Sequence, residues 1–231
     1  MDNFEKNLTE ACNAYADVQH DLEIFMDGIH QWFYKHRTLR PNIIHSVKSR
    51  LKNIDHLREK IARKWNPDNP ITKDNLFQKI TDLAGVRVLH LYQHQFIYIH
   101  EAILKRQTSN DWFFAENPMA YTWDPESEKF FKNLGLEVES RETHYTSVHY
   151  LIRPRPDSPL CCEVQVRTLF EEIWGEVDHV INYPEKSKSL SCREQLMVLT
   201  KLAGAGSRLV DSIFRVQREM NEAANQNDKR P

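Results

Sequence analysis

Apolar residues recur at Phe4, Leu8, Cys12, Tyr15, Val18, Leu22, Phe25 and Ile29, in steps of three and four, before reaching Trp32 and Phe33. That spacing predicts a long amphipathic helix over 4–33 with one buried stripe, and Pro41 marks its end. A second helical pattern spans 53–65 and closes in the NPDNP turn at 66–70. Residues 76–83 predict a short helix that Gly85 breaks, after which 86–91 alternate as a strand does. Another helix is predicted over 96–106. Residues 107–140 hold Trp112, Phe113, Phe114 and Trp123 and predict an irregular aromatic loop, then a helix near 126–134. Strands are predicted at 136–140, 145–153 and 161–167, with PRPDSP at 154–159 joining the last two into a hairpin. Helices over 169–181 and 191–224 complete the pattern, with a frayed NQNDKRP tail. The order is helices, then mixed strands and helices, then helices: an α+β core with helical flanks.

Charge and composition narrow the class. The 231 residues carry 31 Lys+Arg against 33 Asp+Glu, so no global basic field suits a nucleic-acid-coating protein. No run approaches the ~20 apolar residues of a membrane span, and MDNFEKNLTE has no apolar signal-peptide core. Cys12, Cys161, Cys162 and Cys192 have neither CxxC spacing nor scaffold density, and two are adjacent, which suits a reduced interior. Membrane, secreted and zinc-ribbon classes are excluded, and a cytoplasmic globular protein is expected.

Three constellations could carry chemistry. Residues 45–64, HSVKSRLKNIDHLREKIARK, hold seven Lys/Arg against Asp55 and Glu59. Arg50 and Lys52 open the segment and Lys60 follows two helical turns later, a face able to grip several phosphates of one nucleotide; a solvated helix face is the plainer alternative. Asp82 in ITDLAGVRV and Glu163 inside a strand are acids among apolar neighbours, which need partners. A hard cation such as Mg²⁺ would satisfy both and bind substrate phosphates; salt bridges with Arg87 and Arg167 would also serve. Finally, Tyr145, Ser147 and His149 share one strand face, placing an aromatic platform, a hydroxyl and an imidazole where a base could stack. His20-Asp21 lacks the further ligands of a metal site, and His90, His94 and His100 are assigned to a strand-to-helix surface.

SRLKNIDHLREKIARK (49–64), ITDLAGVRV (80–88), HYTSVHYLI (144–152) and EVQVRTLFEEIWGEVDHVINY (163–183) together resemble the synthetase domain of the RelA/SpoT family, especially its single-domain small alarmone synthetases. The resemblance covers about 40–185. It implies a nucleotidyltransferase-like mixed sheet of about five strands flanked by helices, with 1–40 an N-terminal helical extension, 41–185 the synthetase domain and 186–231 a C-terminal oligomerisation helix. It implies pyrophosphate transfer from ATP to the ribose 3′-OH of GDP or GTP, giving (p)ppGpp and AMP, with Mg²⁺ as cofactor.

Carried over by position, Arg50, Lys52 and Lys60, with His56 beside them, match the ATP-binding residues. Asp82 and Glu163 match the metal-binding and catalytic acids. Tyr145 matches the tyrosine that stacks on the acceptor base, with Ser147, His149 and Arg141 around it; Gln165, Arg167 and His179 match supporting positions. His144 replaces the family's glycine before the tyrosine, and His56 replaces a serine of the ATP-binding segment. A cytoplasmic homo-oligomer, dimer or tetramer, that synthesises without degrading is expected. Alternatives are a toxin-type relative acting on the tRNA 3′ end or an adenosine nucleotide, and an inactive nucleotide- or RNA-binding module. Seven acids against two lysines in 107–139 disfavour tRNA.

Overall fold

The computed structural model describes residues 3–140, 145–182 and 186–227, with side chains up to 222; Arg141 and His144 lie outside the described residues. In chain order its elements are α1 (Asn3–Tyr34), α2 (Leu39–Asn42), β1 (Ile44–Leu51), α3 (Ile54–Arg63), α4 (Leu76–Lys79), β2 (Ala84–His90), α5 (Gln95–Thr108), β3 (Phe113–Phe114), β4 (Met119–Thr122), α6 (Pro125–Asn133), β5 (Glu137–Ser140), β6 (Ser147–Arg153), β7 (Cys162–Thr168), α7 (Leu169–Asn182) and α8 (Leu190–Asn227). The α+β class is as expected. The mixed sheet has seven strands in the order β1-β2-β7-β6-β4-β5, with β3 also pairing β6.

The extra strands have physical reasons for escaping the sequence pattern. β1 lies in the basic segment read as a helical face. Ile44, Val47 and Leu51 follow helical steps of three and four, yet all three pack on the core. A register shift between Ile44 and Ser46 inserts one residue opposite β2 and turns an odd spacing onto a single strand face. β3 and β4 are two and four residues long, too short for period two to show, and pair successively with β6. Asn53 ends the β1 approach and starts α3, its side chain accepting from the Asp55 N–H at 2.7 Å. Asp124 caps α6 in the same way, ahead of Pro125 at the first helical position. α4 is shorter than the predicted 76–83 helix because Ile80 is already extended.

The two sheet faces differ in chemistry. Val86, Val88, Val148, Tyr150, Ile152, Val164 and Val166 are buried in a core shared with Leu8, Cys12, Tyr15, Leu22 and Ile29 of α1 and Phe96 and Ile99 of α5. His90 and His100, placed at a surface from sequence, belong to this interior: His90 bonds the Tyr92 carbonyl at 3.0 Å and His100 the Tyr150 hydroxyl at 2.8 Å. Along the opposite face, register aligns Arg50, Gly85 and Glu163 in one row and Lys48, Arg87, Gln165 and His149 in the next. α7 lies against this polar face, and α8 packs against α7. Among the described residues no helix is long and apolar enough to cross a membrane.

Candidate active site

The polar rows open into a cleft because Gly85 presents no side chain between Arg50 and Glu163. A Cβ there would stand 3.8 Å from the Glu163 carbonyl. Lys48, Arg50, Asp82, Arg87, Glu163 and Gln165 line this central part.

At one end, the loop after β1 and the face of α3 meet Asp82, two residues ahead of β2. Lys52 Nζ and Lys60 Nζ reach the same oxygen of Asp82, Oδ2, at 2.9 and 2.7 Å. Lys52 is fixed from both sides: its carbonyl accepts the Tyr15 hydroxyl at 2.7 Å and its N–H donates to the Leu83 carbonyl at 2.8 Å. Burial raises the Asp82 carboxyl, but the Lys60 hydrogen bond and the Lys52 charge more than offset it and hold the group below its usual range. Burial prevails for Lys52, whose ammonium is pulled below its usual range despite Asp82. Arg50, His56, Arg63 and His179 complete the recess at this end. The three predicted cations therefore converge, although a strand, a loop and a helix supply them.

Asp82 Oδ1 is buried without a hydrogen-bond partner, a lone pair suited to a cation. No group of three or more His, Cys, Asp or Glu among the described residues is placed to hold a metal ion. A metal here would take Asp82 and Glu163 from the protein and its other oxygens from phosphates and water, the coordination Mg²⁺ favours. The donor set fits that ion.

Glu163 anchors a hydrogen-bonded chain. Its Oε1 lies 2.9 Å from His149 Nδ1, its Oε2 accepts Gln165 Nε2 at 2.7 Å, and His149 Nε2 lies 3.0 Å from the Tyr145 hydroxyl. Burial raises the Glu163 carboxyl, yet the hydrogen bonds from His149 and Gln165 bring it below its usual range, so it is ionised at neutral pH. Ser147, expected beside Tyr145 on the open surface, is instead 1% exposed and donates to the Val166 carbonyl at 3.4 Å. It lines a separate pocket with Thr146 and Glu171.

At the other end, Tyr145 faces Trp174 at 6.3 Å between ring centroids, and the Arg167 guanidinium lies 5.7 Å over the Tyr145 ring. Gly175 makes room for that guanidinium, since a Cβ there would stand 2.9 Å from its nitrogen. Arg87, Arg167, Asp178, His179 and Asn182 border this recess. The alternative pairing of Arg87 and Arg167 with Asp82 and Glu163 is not what forms. Arg167 goes to Glu172 on α7, which also accepts Lys48 Nζ at 2.9 Å, and Arg87 goes to Glu176 at 2.5 Å and Glu172 at 3.4 Å. Sequence reasoning missed Lys48 and Glu172; the cross-strand register of Lys48 and Arg87 brings them together.

Residues 49–188 match the family described as a region found in RelA/SpoT proteins. GTP pyrophosphokinase YjbM of Bacillus subtilis (strain 168) is 22% identical over 220 residues, covering 90% of this chain and 88% of that protein. A GTP pyrophosphokinase family protein from Streptococcus pneumoniae shares the fold at TM-score 0.61 and 21% identity, covering 96% and 97% of the two chains. Small alarmone synthetase 1 from Bacillus subtilis, bound to its product pppGpp, does so at TM-score 0.58 and 19% identity, covering 89% and 94%.

Proposed function

The chain belongs to the RelA/SpoT family, and we propose that it is an ATP-dependent pyrophosphokinase that transfers pyrophosphate to the 3′-OH of GDP or GTP, making (p)ppGpp and AMP. The observation that carries this is the shared cleft: Asp82, clamped by Lys52 and Lys60, opens beside Glu163, which His149 links to Tyr145. Cations at one end and an aromatic platform at the other suit a donor and an acceptor meeting over two acids.

In this reading Arg50, Lys52, Lys60 and His56 hold the ATP phosphates, and Tyr145, with Trp174 nearby, receives the acceptor base. Arg87 and Arg167 face the acceptor phosphates. Glu163, ionised and fixed by His149 and Gln165, accepts the hydrogen bond of the 3′-OH and draws off its proton as the new bond forms. The 3′-oxygen bonds to the β-phosphorus of ATP while the bond from that phosphorus to the α-phosphate oxygen breaks, and AMP leaves. Lys52 and Lys60 neutralise the charge on the transferred group, and in-line placement lowers the barrier. Mg²⁺, held by Asp82 and Glu163, would supply further charge neutralisation.

The protein works as a cytoplasmic homo-oligomer, dimer or tetramer. Leu196 is buried on α8, while Leu202, Leu209, Ile213 and Val216 are 49–63% exposed, leaving an apolar stripe for a second copy. Light scattering at micromolar concentration tests this, and a monomer would refute it. The activity is tested by offering purified protein ATP labelled on its terminal phosphate with GDP, GTP, ADP and tRNA in turn. Transfer to GDP or GTP supports the reading; transfer to tRNA or ADP alone assigns a different acceptor, and no transfer removes the enzyme assignment.

A further inference from the structure

We infer that Asp178 is the specificity-determining residue that selects a guanine acceptor, by accepting hydrogen bonds from the N1–H and 2-amino groups of the base. The inference rests on the proposed pyrophosphokinase reading and adds to it the residue that recognises the acceptor's base edge.

Stacking on Tyr145 attracts any base, since every base offers a π-face. Selection needs a polar group that meets the edge of the stacked ring. Trp174, Asp178 and Asn182 sit at i, i+4 and i+8 on α7, a spacing that forms one stripe along a helix, and all three line the recess beside Tyr145. Among the described residues lining that recess, Asp178 is the acid. The cations there are Arg87 and Arg167; both bond Glu172, and Arg87 also bonds Glu176 at 2.5 Å, so their charges are engaged by other carboxylates.

The Asp178 carboxylate is also held in place. Asn182 Nδ2 donates to Asp178 Oδ1 at 2.8 Å, and Asn182 Oδ1 accepts the Ser187 N–H at 2.9 Å, which fixes the direction of the amide. A carboxylate with a fixed plane is a two-acceptor reader. Guanine offers two parallel donors to it. Adenine offers the N1 lone pair, which a carboxylate repels, so the same group that favours guanine rejects adenine.

The experiment measures pyrophosphate transfer by the full-length protein to GDP, inosine diphosphate, xanthosine diphosphate and ADP, in the wild type and in Asp178→Asn. The wild type is expected to use GDP at least about tenfold better than inosine diphosphate, which lacks the 2-amino group. Asp178→Asn is expected to lose that margin and to gain use of xanthosine diphosphate, whose 2-oxo group accepts from the introduced amide, with the KM for ATP unchanged. Loss of packing alone would not create a new acceptor. Retention of the wild-type order of acceptors by Asp178→Asn overturns the inference and leaves the pyrophosphokinase reading standing. A wild type that uses no guanosine nucleotide overturns both. Should the variant fail to fold, the wild type still decides with 1-methylguanosine diphosphate: a tenfold or greater loss against GDP supports the inference, and equal use overturns it.

Discussion

His149 Nδ1 lies 2.9 Å from Oε1 of Glu163, and this pair joins the aromatic end of the cleft to its acidic centre. Ionised Glu163 can only accept, so His149 donates to it from Nδ1, and its Nε2 pairs with the Tyr145 hydroxyl at 3.0 Å. Glu163→Gln keeps the shape, but its amide cannot act as the anionic acceptor of the 3′-OH proton. Product formation is expected to fall at least ~10²-fold, the low end for loss of a positioned base. Near-wild-type turnover of a folded variant, checked by circular dichroism, would contradict the assignment.

Lys52 and Lys60 share one carboxylate oxygen of Asp82, so removing either leaves Asp82 with a partner. Lys52→Ala is therefore expected to fold and to raise the KM for ATP about tenfold or more with every acceptor offered. Steady-state kinetics with two acceptors checks this; a defect confined to one acceptor would move Lys52 to the other side of the cleft.

Tyr145→Ala removes the stacking surface, a contact worth roughly 1–3 kcal/mol per base. Acceptor KM is expected to rise about tenfold while ATP binding, followed by calorimetry, stays nearly unchanged. Tyr145→Phe keeps the ring and loses the hydroxyl's bonds to His149 and Ser147, so it should stay closer to wild type in acceptor KM than the Ala variant.

Glu172 holds three cations from three adjacent strands on a side chain that is 6% exposed, opposite an Arg167 side chain that is 3% exposed. Glu172→Gln strands the buried Arg167 charge, and breaking such a pair costs about 3–5 kcal/mol. A lowered midpoint in urea or thermal unfolding is expected. An unchanged midpoint would show that Arg167 finds another partner.

Burial pushes the Glu171 carboxyl up to about 8, against the lowering effect of Arg167. A folded-state value above the unfolded one means that the native protein holds more protons between the two. The stability from this group is full below about pH 4.5 and is lost as pH rises through about 8. Glu171→Gln lacks this titration, so its melting temperature should exceed the wild type's by a margin that widens by several degrees from pH 5 to pH 8.5. Parallel curves over that range would refute the shift.

Long elements and chemically distinctive residues were legible in the sequence. The stripe from Leu8 to Phe33 needs only 3.6-residue periodicity to declare a helix, and α7 and α8 follow the same logic. Asp82 and Glu163 declared themselves as acids embedded in apolar runs, because a buried carboxylate demands partners whatever the fold. What the sequence could not determine was which partners. Arg87 is near Asp82 and Arg167 near Glu163 along the chain, yet both bond acids of α7, because strand register and the approach of α7 set distances that sequence spacing does not. β1 was hidden by one inserted residue at Ile44/Ser46, which gives a strand the spacing of a helix. Ser147 alternates correctly with Tyr145 and His149, but Tyr145 precedes β6, so period two does not place its side chain. Local periodicity is carried by the chain itself, whereas the pairing of charges depends on contacts between residues far apart in sequence, and only the tertiary structure decides those.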